Sequence, residues 1–146
     1  MFRIRKRFKY EGAHVLQTSW SEACQSIHGH SYVVEVVLEG EQLNDDGMLI
    51  DFGLLKQIIQ PTIDAFDHAL VVKTVLWDTV QVETARLFGA TKVLVVEYNP
   101  TAEEMAFDFY NRWWKPIHVE TNGVADLIAV RIHETATGWA EYREEK

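Results

Sequence analysis

Two long segments of the chain alternate between apolar and charged residues, and this alternation restricts the fold more than any other feature. Residues 2–14 read FRIRKRFKYEGAH and residues 28–39 read HGHSYVVEVVLE. Successive side chains of a strand point to opposite faces, so each segment predicts a half-buried strand. His14, His28 and His30 fall in phase with the apolar positions. The alternation therefore predicts a sheet with three histidines on its buried face.

The charge pattern of these two segments predicts how they pair. An antiparallel alignment that sets His14 opposite His30 brings all three histidines together on the apolar face. It also sets basic residues opposite acidic ones: Lys9 with Glu35, and Arg5 with Glu39. Each such pair favours a register by about 0.2–1 kcal/mol. Two independent features thus predict the same alignment.

The rest of the chain predicts two longer helices and further strands. Asp51 is placed to cap a helix that runs to about Thr62. Thr101 and Glu104 form a capping-box pattern for a helix that ends at about Trp114, before Pro116. Weaker patterns predict a short helix over 80–88 and strands over 92–96, 124–134 and 139–143. This order favours an α+β fold, an antiparallel sheet with helices on one face.

Size, charge and cysteine content limit the class of protein. A chain of 146 residues is most simply one domain, 1–146. A net charge of −8 argues against general nucleic-acid binding, because phosphate contacts need a basic surface. The single cysteine allows no internal disulfide, which favours a reducing, cytoplasmic location. No window approaches the roughly 18 apolar residues of a membrane helix, so we expect no membrane association.

The three histidines are candidates for a metal site. A His-x-His pair alone is also typical of hydrogen-bonded polar side chains on half-buried strands. His14 in the proposed register, together with the nearby thiol of Cys24, favours metal binding over that alternative. Three neutral imidazoles with a fourth position open to substrate or water are the pattern of a catalytic zinc site. We therefore predict that His14, His28 and His30 bind Zn²⁺.

Cys24 lies four residues before His28, in a polar loop. A single cysteine is often only a small buried apolar residue. A neighbouring dication would lower the pKa of its thiol, however, and favour a reactive thiolate. The Cys-x3-His spacing is longer than the Cys-x2-His spacing of chelating motifs. The pattern therefore favours a base or nucleophile over a fourth metal ligand.

Taken together, the motifs resemble those of one family, the 6-pyruvoyltetrahydropterin synthases and 6-carboxytetrahydropterin synthases. The resemblance extends over nearly the whole chain. It rests on six motifs in order: Gly12-Ala13-His14, Cys24-Gln25-Ser26-Ile27-His28-Gly29-His30, Asp51-Phe52, Asp67-His68, Pro100-Thr101-Ala102-Glu103 and His133-Glu134-Thr135. Each motif alone has an ordinary explanation, such as a loop pair for Asp67-His68 or a solvated strand end for Glu134.

The resemblance implies a tunnelling fold: a four-stranded antiparallel sheet with two helices packed on one face. It also implies a homo-oligomer in which three sheets close into a barrel and two trimers stack. By resemblance, His14, His28 and His30 hold zinc, and Cys24 is the catalytic base. Asp67 and His68 complete its proton relay. Three further residues belong to the pterin pocket by resemblance: Glu134, which anchors the ring, and its neighbours Thr101 and Glu103.

The implied substrate is 7,8-dihydroneopterin triphosphate. Loss of triphosphate with cleavage of the side chain gives 6-carboxy-5,6,7,8-tetrahydropterin and acetaldehyde, whereas retention of the side chain gives the 6-pyruvoyl product. The three residues between Cys24 and His28 resemble the carboxy-forming branch, which serves the queuosine (deazapurine) pathway. Three features depart from the family pattern: Glu104 replaces a common asparagine, Ala69-Leu70-Val71-Val72 after His68 lacks the expected Leu-Asn, and residues 73–98 are longer than in compact members. A pyruvoyl-forming lyase, a non-catalytic zinc-binding barrel and a zinc hydrolase remain alternatives.

Overall fold

The computed structural model describes residues 1–16, 18–89 and 92–144, which form one six-stranded sheet and four helices. The strands are β1 (Phe2–His14), β2 (His28–Gly40), β3 (Ala69–Lys73), β4 (Val93–Val96), β5 (Asp126–His133) and β6 (Trp139–Arg143). The helices are α1 (Glu22–Gln25), α2 (Phe52–Phe66), α3 (Trp77–Phe88) and α4 (Ala102–Glu120). Within these ranges, none of the helices combines the length and the apolar character that crossing a bilayer requires.

The sheet is mixed, so the expectation of a purely antiparallel four-stranded sheet is wrong. Its strand order is β4-β3-β1-β2-β5-β6. The four expected antiparallel strands are β1, β2, β5 and β6, and β3 and β4 extend the sheet with parallel pairing. Parallel neighbours need a long crossover connection, and α3 lies in the one between β3 and β4. Ala69–Val72 are all buried, so this segment lacks the alternation that identifies a strand.

The pairing of β1 with β2 is shifted by two residues from the predicted register. His14 lies opposite His28, and His30 lies opposite Gly12. The facing charges are Arg7 with Glu35 and Arg3 with Glu39, in place of the predicted pairs Lys9 with Glu35 and Arg5 with Glu39. A shift of two residues leaves every side chain on its original face. The three histidines therefore still share the buried face.

Helices α2 and α4 pack on one face of the sheet, as expected, and enclose the main core. Asp51 caps α2, because its carboxylate accepts hydrogen bonds from the backbone N–H groups of Gly53 (2.6 Å) and Leu54 (3.2 Å). The core combines residues of both helices with the inward residues of the strands: Leu55, Ile59, Ile63, Met105, Phe109 and Trp113 from the helices, and Tyr10, Tyr32, Val34, Val36, Val130 and Ile132 from the strands. The histidines continue this inward row toward one end of β1 and β2.

Helix α4 begins where the sequence predicts and extends further than predicted. The Thr101 hydroxyl accepts a hydrogen bond from the backbone N–H of Glu104 at 3.3 Å, which confirms the cap. The helix continues through Pro116 to Glu120, so the predicted end at Trp114 is wrong. A proline removes one hydrogen bond from a helix, here the one to the carbonyl of Arg112. Arg112 is exposed, so water can satisfy that carbonyl.

Candidate metal and pterin site

The three histidines converge as predicted. Each offers one ring nitrogen, and these nitrogens lie within 4.8 Å of one another. His14 ends β1 and is buried, whereas His28 and His30 begin β2 and are partly exposed. The end of β1 and the start of β2 lie side by side because the strands are antiparallel. The cluster is therefore buried on the His14 side and accessible on the other.

Backbone carbonyls fix the protonation of two of the rings. His14 Nδ1 lies 2.6 Å from the carbonyl oxygen of Pro100, and His28 Nδ1 lies 2.7 Å from that of Ser26. A carbonyl oxygen can only accept a hydrogen bond, so each Nδ1 carries the proton. In the neutral form of each ring, Nε2 then has a free lone pair. The Nε2 atoms of His14 and His28 are 2.9 Å apart, so two lone pairs face each other at contact distance.

The cluster fits a bound metal cation. His30 Nε2 is buried and has no hydrogen-bond partner among the described residues. Burial lowers the pKa of His14, and the charges of His28 and His30 lower it further; burial and His28 also lower the pKa of His30. Both effects favour neutral rings, the form that binds metal. A cation that accepts all three lone pairs accounts for the facing nitrogens and the unpartnered one, and imidazole ligands suit zinc among other transition metals.

Glu134 follows β5 and lies beside the cluster. Its Oε1 is 3.9 Å from His14 Nε2, and its side chain is 30% exposed. Burial raises the pKa of Glu134, and the nearby carboxylate of Glu103 raises it further. A hydrogen-bond donor on a bound molecule would stabilise the charged form of this carboxylate. The Thr101 hydroxyl caps α4, because it accepts a hydrogen bond from the backbone N–H of Glu104.

Cys24 lies in α1, the four-residue helix within the loop between β1 and β2. It is half-buried. The loop is closed by a hydrogen bond from the backbone N–H of Leu16 to the Cys24 carbonyl at 2.9 Å. Among the described residues, the potential ligand atoms that lie within 4.8 Å of one another belong to the three histidines, and the Cys24 sulfur is not one of them. The role of the thiol as a base and not a fourth ligand stays a prediction.

Asp67 and His68 form a hydrogen-bonded pair, and in the described part of the chain neither bonds to Cys24. His68 Nδ1 lies 2.8 Å from Asp67 Oδ2, and the backbone N–H of Glu11 donates to Asp67 Oδ1 at 2.9 Å. The hydrogen bond from Glu11 and that from His68 lower the pKa of Asp67. The carboxylate therefore accepts a hydrogen bond from His68 Nδ1–H. His68 is mostly exposed.

Sequence reasoning missed the residues that support the histidines. Pro100 acts through its carbonyl, which no side-chain pattern reveals. Tyr32 is buried and its hydroxyl lies 3.4 Å from His14 Nδ1. The ring of Tyr32 stacks on that of Tyr10, with centroids 4.7 Å apart. A Cβ atom at Gly12, opposite His30, would lie 3.0 Å from the Tyr10 ring and 3.3 Å from the Tyr32 ring. The glycine thus allows both tyrosines to pack beneath the cluster.

Comparison with known proteins supports the resemblance. A profile of the family described as 6-pyruvoyl tetrahydropterin synthase matches residues 3–145. The 6-carboxy-5,6,7,8-tetrahydropterin synthase of Helicobacter pylori (strain J99) is 36% identical and aligns with 94% of this chain and 70% of its own length. The protein of the same name from Haemophilus influenzae is 31% identical over 99% of this chain and 100% of its own.

Solved structures share the fold at low sequence identity. An uncharacterized protein from Wolinella succinogenes superimposes with a TM-score of 0.83 and 20% identity, over 99% of this chain and 98% of that one. The 6-pyruvoyl tetrahydropterin synthase of Caenorhabditis elegans superimposes with a TM-score of 0.68 and 23% identity, over 99% and 96% of the two chains. These similarities concern the fold alone.

Proposed function

The chain belongs to the 6-pyruvoyl tetrahydropterin synthase family, and from that membership we propose that it is a zinc-dependent 6-carboxy-5,6,7,8-tetrahydropterin synthase. The proposed reaction converts 7,8-dihydroneopterin triphosphate and one water molecule into 6-carboxy-5,6,7,8-tetrahydropterin, acetaldehyde and triphosphate, in the queuosine (deazapurine) pathway. The observation that carries the proposal is the convergence of three histidine ring nitrogens, one of which, His30 Nε2, is buried without a hydrogen-bond partner among the described residues. The names of the relatives support the carboxy-forming branch.

In the proposed mechanism His14, His28 and His30 hold the zinc ion. The carbonyls of Pro100 and Ser26 keep the Nδ1 protons in place, so that each Nε2 remains a ligand atom. When bound, zinc supplies a Lewis acid that makes protons next to the side-chain oxygens of the substrate easier to remove. The buried side of the cluster, with Tyr32 beneath it, limits the approach of substrate to the exposed side.

Cys24, Asp67 and His68 are proposed to move the protons. The Cys24 thiolate acts as the base, and His68 Nε2 accepts and returns a proton while Asp67 keeps the Nδ1 proton in place. Glu134 is proposed to bind the amino-pyrimidine ring of the pterin through a charge-assisted contact. Thr101 and Glu103 complete that pocket, Thr101 by fixing the start of α4.

The proposal includes a homo-oligomer, a trimer or a dimer of trimers, whose sheets close into a barrel. Strands β4 and β6 are the two edges of the sheet, and edge strands carry backbone groups free to pair with another chain. Among the described residues no hydrogen bond joins Cys24 to Asp67 or His68, which also favours sites completed by a neighbouring copy. A cytoplasmic location for the domain 1–146 is part of the proposal and rests on the single cysteine.

Incubation of the purified protein with dihydroneopterin triphosphate tests the function. We expect a product with the mass of 6-carboxytetrahydropterin, one equivalent of acetaldehyde, and loss of turnover after chelation that zinc restores. A product that keeps its three-carbon side chain, formed without acetaldehyde, would assign the pyruvoyl branch instead. Hydrolysis of simple esters without pterin turnover would favour a zinc hydrolase. Zinc binding without turnover of either substrate would favour the non-catalytic barrel.

A further inference from the structure

Lys92 lies just before β4, and its side chain reaches back to the C-terminal end of α2. Its Nζ donates hydrogen bonds to the backbone carbonyls of Asp64 at 2.6 Å and Asp67 at 2.7 Å. The last carbonyls of a helix lack partners within the helix, and a cation is favoured there by the helix dipole. The carbonyl of Lys92 in turn accepts from the backbone N–H of Leu70 at 3.0 Å. Hydrogen bonds therefore fix both the backbone carbonyl and the ammonium group of Lys92.

The peptide group between Asp67 and His68 is bonded on both sides. Its oxygen, the Asp67 carbonyl, accepts from Lys92, and its N–H, that of His68, donates to the Glu11 carbonyl at 2.6 Å. His68 has a φ of 54°, in the left-handed region that residues with a Cβ rarely adopt. Such a conformation persists where the surroundings impose it. The two hydrogen bonds to this one peptide plane provide that constraint.

We propose that Lys92 is a positioning residue for the Asp67–His68 pair. By fixing the orientation of the peptide group, its ammonium group keeps the His68 ring against the Asp67 carboxylate with Nε2 directed outward. The catalytic meaning of this arrangement rests on the proposed function, whereas the arrangement itself does not. Lys92 belongs to the segment 73–98, and through this one side chain the segment reaches the Asp67–His68 pair.

A different role for Lys92 is direct contact with an anionic substrate group. Lys92 and His68 line one open cavity of about 510 Å³, which also includes His30. An ammonium group has three N–H donors, and two of them are committed to the helix carbonyls. Those two bonds fix the nitrogen against the backbone, which favours positioning. The two roles predict different kinetic effects, because positioning acts on turnover and phosphate contact acts on binding.

Three variants of the zinc-loaded, full-length protein test the proposal: Lys92→Met, Lys92→Arg and the control Lys56→Met. Lys56 is exposed on α2, the same helix, so the control removes a lysine charge without removing a carbonyl contact. We expect Lys92→Met to lower kcat about ten- to a hundredfold and to change KM for dihydroneopterin triphosphate less than about twofold. Lys92→Arg should recover most of the activity, and Lys56→Met should match the unmodified protein.

Nitrogen-15 spectra of the histidine rings provide a readout that does not require turnover. In the unmodified protein at mildly alkaline pH, we expect His68 as a single tautomer with its proton on Nδ1. In Lys92→Met we expect the second tautomer to appear, while the spectra of His14 and His28 and the zinc content stay unchanged. If Lys92→Met does not fold, Lys92→Gln retains an amide donor and should show an intermediate effect on both readouts.

The outcomes separate this inference from the proposed function. A raised KM with unchanged kcat in Lys92→Met would assign Lys92 to phosphate contact and overturn the positioning role. An unchanged His68 tautomer, or an equal effect of Lys56→Met, would overturn it as well. If the unmodified protein makes no pterin product, the proposed function fails. In that case the tautomer of His68 in Lys92→Met still decides whether Lys92 orients the ring.

Discussion

The two faces of strands β1 and β2 carry polar clusters that are built in opposite ways. On the helix-covered face, ring nitrogens of three histidines converge, and His30 Nε2 has no partner among the described residues. On the other face Glu35, 1% exposed, accepts a hydrogen bond from Arg7 at 2.8 Å and a longer one from Arg5 at 3.4 Å. Two further side chains approach Glu35 at 3.5 Å: Arg131 and His133.

The difference lies in whether the chain itself completes the cluster. Burial opposes the charge on Glu35, but the hydrogen bond from Arg7 and the surrounding positive charges hold its pKa below the usual range. The partners of Glu35 are partly exposed arginines, which cover it with their own side chains. Among the described residues no arginine or lysine is paired with the histidines, and a bound cation would satisfy their converging ring nitrogens. The pairing around Glu35 is not total, because His133 Nε2 lies 3.5 Å from its carboxylate and has no hydrogen-bond partner among the described residues. A buried carboxylate that the arginines of the chain neutralise serves stability, whereas ring nitrogens that converge on one point indicate binding.

His28→Ala tests the histidine side of this comparison and has the largest expected effect. Loss of one ligand should abolish stoichiometric zinc binding and lower activity more than about a hundredfold, because even residues that only support metal ligands affect activity by 10–100-fold. Zinc should raise the Tm of the unmodified protein, since a ligand of the native state stabilises it, and should leave that of the variant unchanged. Metal analysis and thermal melts check this. Full zinc occupancy in His28→Ala would refute the site.

Cys24→Ala separates proton transfer from metal binding within the same site. We expect turnover to fall about 10²- to 10⁴-fold, the range for loss of a general base. Zinc content and Tm should stay close to those of the unmodified protein, because the thiol is not in the ligand group. Cys24→Ser is the matched control of similar size, and it should also be slow. Full activity in the alanine variant would show that the thiolate is not the base.

Glu35→Gln tests the opposite face and should affect stability instead of turnover. Loss of charge-assisted hydrogen bonds in a covered position should lower the free energy of unfolding by about 1–3 kcal/mol. Zinc content and kcat of the folded variant should be unchanged. Glu41→Gln removes the same charge from an exposed loop and serves as the control, with little effect on denaturant unfolding. A loss of zinc in Glu35→Gln would mean that the two faces are coupled.

The stability that Glu35 contributes should decrease as the pH is lowered. A carboxyl whose folded-state pKa is depressed stabilises the protein above its unfolded pKa, about 4.3 for glutamate, and loses that contribution as pH falls. The difference in unfolding free energy between the unmodified protein and Glu35→Gln should therefore be full at pH 6–7 and decrease below about pH 4.3. Denaturant titrations at several pH values measure it. A difference that grows toward low pH would contradict the assignment.

Thr101→Ala has the smallest expected effect and concerns the link between α4 and the histidines. Loss of an N-cap costs about 1 kcal/mol of stability. Pro100, which holds His14, immediately precedes the cap, so zinc affinity should also decrease slightly. Thr101→Ser keeps the hydroxyl and should restore both values. Equal zinc affinity in the alanine and serine variants would show that the cap does not influence the metal site.

The histidine cluster was predictable because side-chain alternation survives an error in register. Arg3, Arg5, Arg7 and Lys9 repeat the same charge at every second position of β1, so alignments shifted by two residues offer equivalent partners to the glutamates. The predicted register was wrong for this reason, yet the shift kept each residue on its face. Alternation thus determines the face of a residue but does not distinguish alignments that preserve it.

The features that the sequence did not predict are contacts between distant parts of the chain, which leave no local pattern. Strand β3 is buried on both faces, and a short apolar run of that kind can be a strand or part of a buried helix. The carbonyls of Pro100 and Ser26 act through the backbone, and the predicted strand over 92–96 does not show that the Lys92 side chain reaches the end of α2. These contacts depend on tertiary packing, so a single sequence does not reveal them.

The left-handed backbone of His68 also limits which residues can replace it. This limit applies even in relatives that have lost the proposed synthase reaction. Glycine adopts this conformation without strain, and asparagine tolerates it better than most residues. Valine or isoleucine would be strained at this position, because a branched Cβ is crowded at positive φ. Relatives that have lost catalysis but kept the fold should therefore carry glycine or asparagine here, which provides a sequence marker for separating inactive descendants from working enzymes.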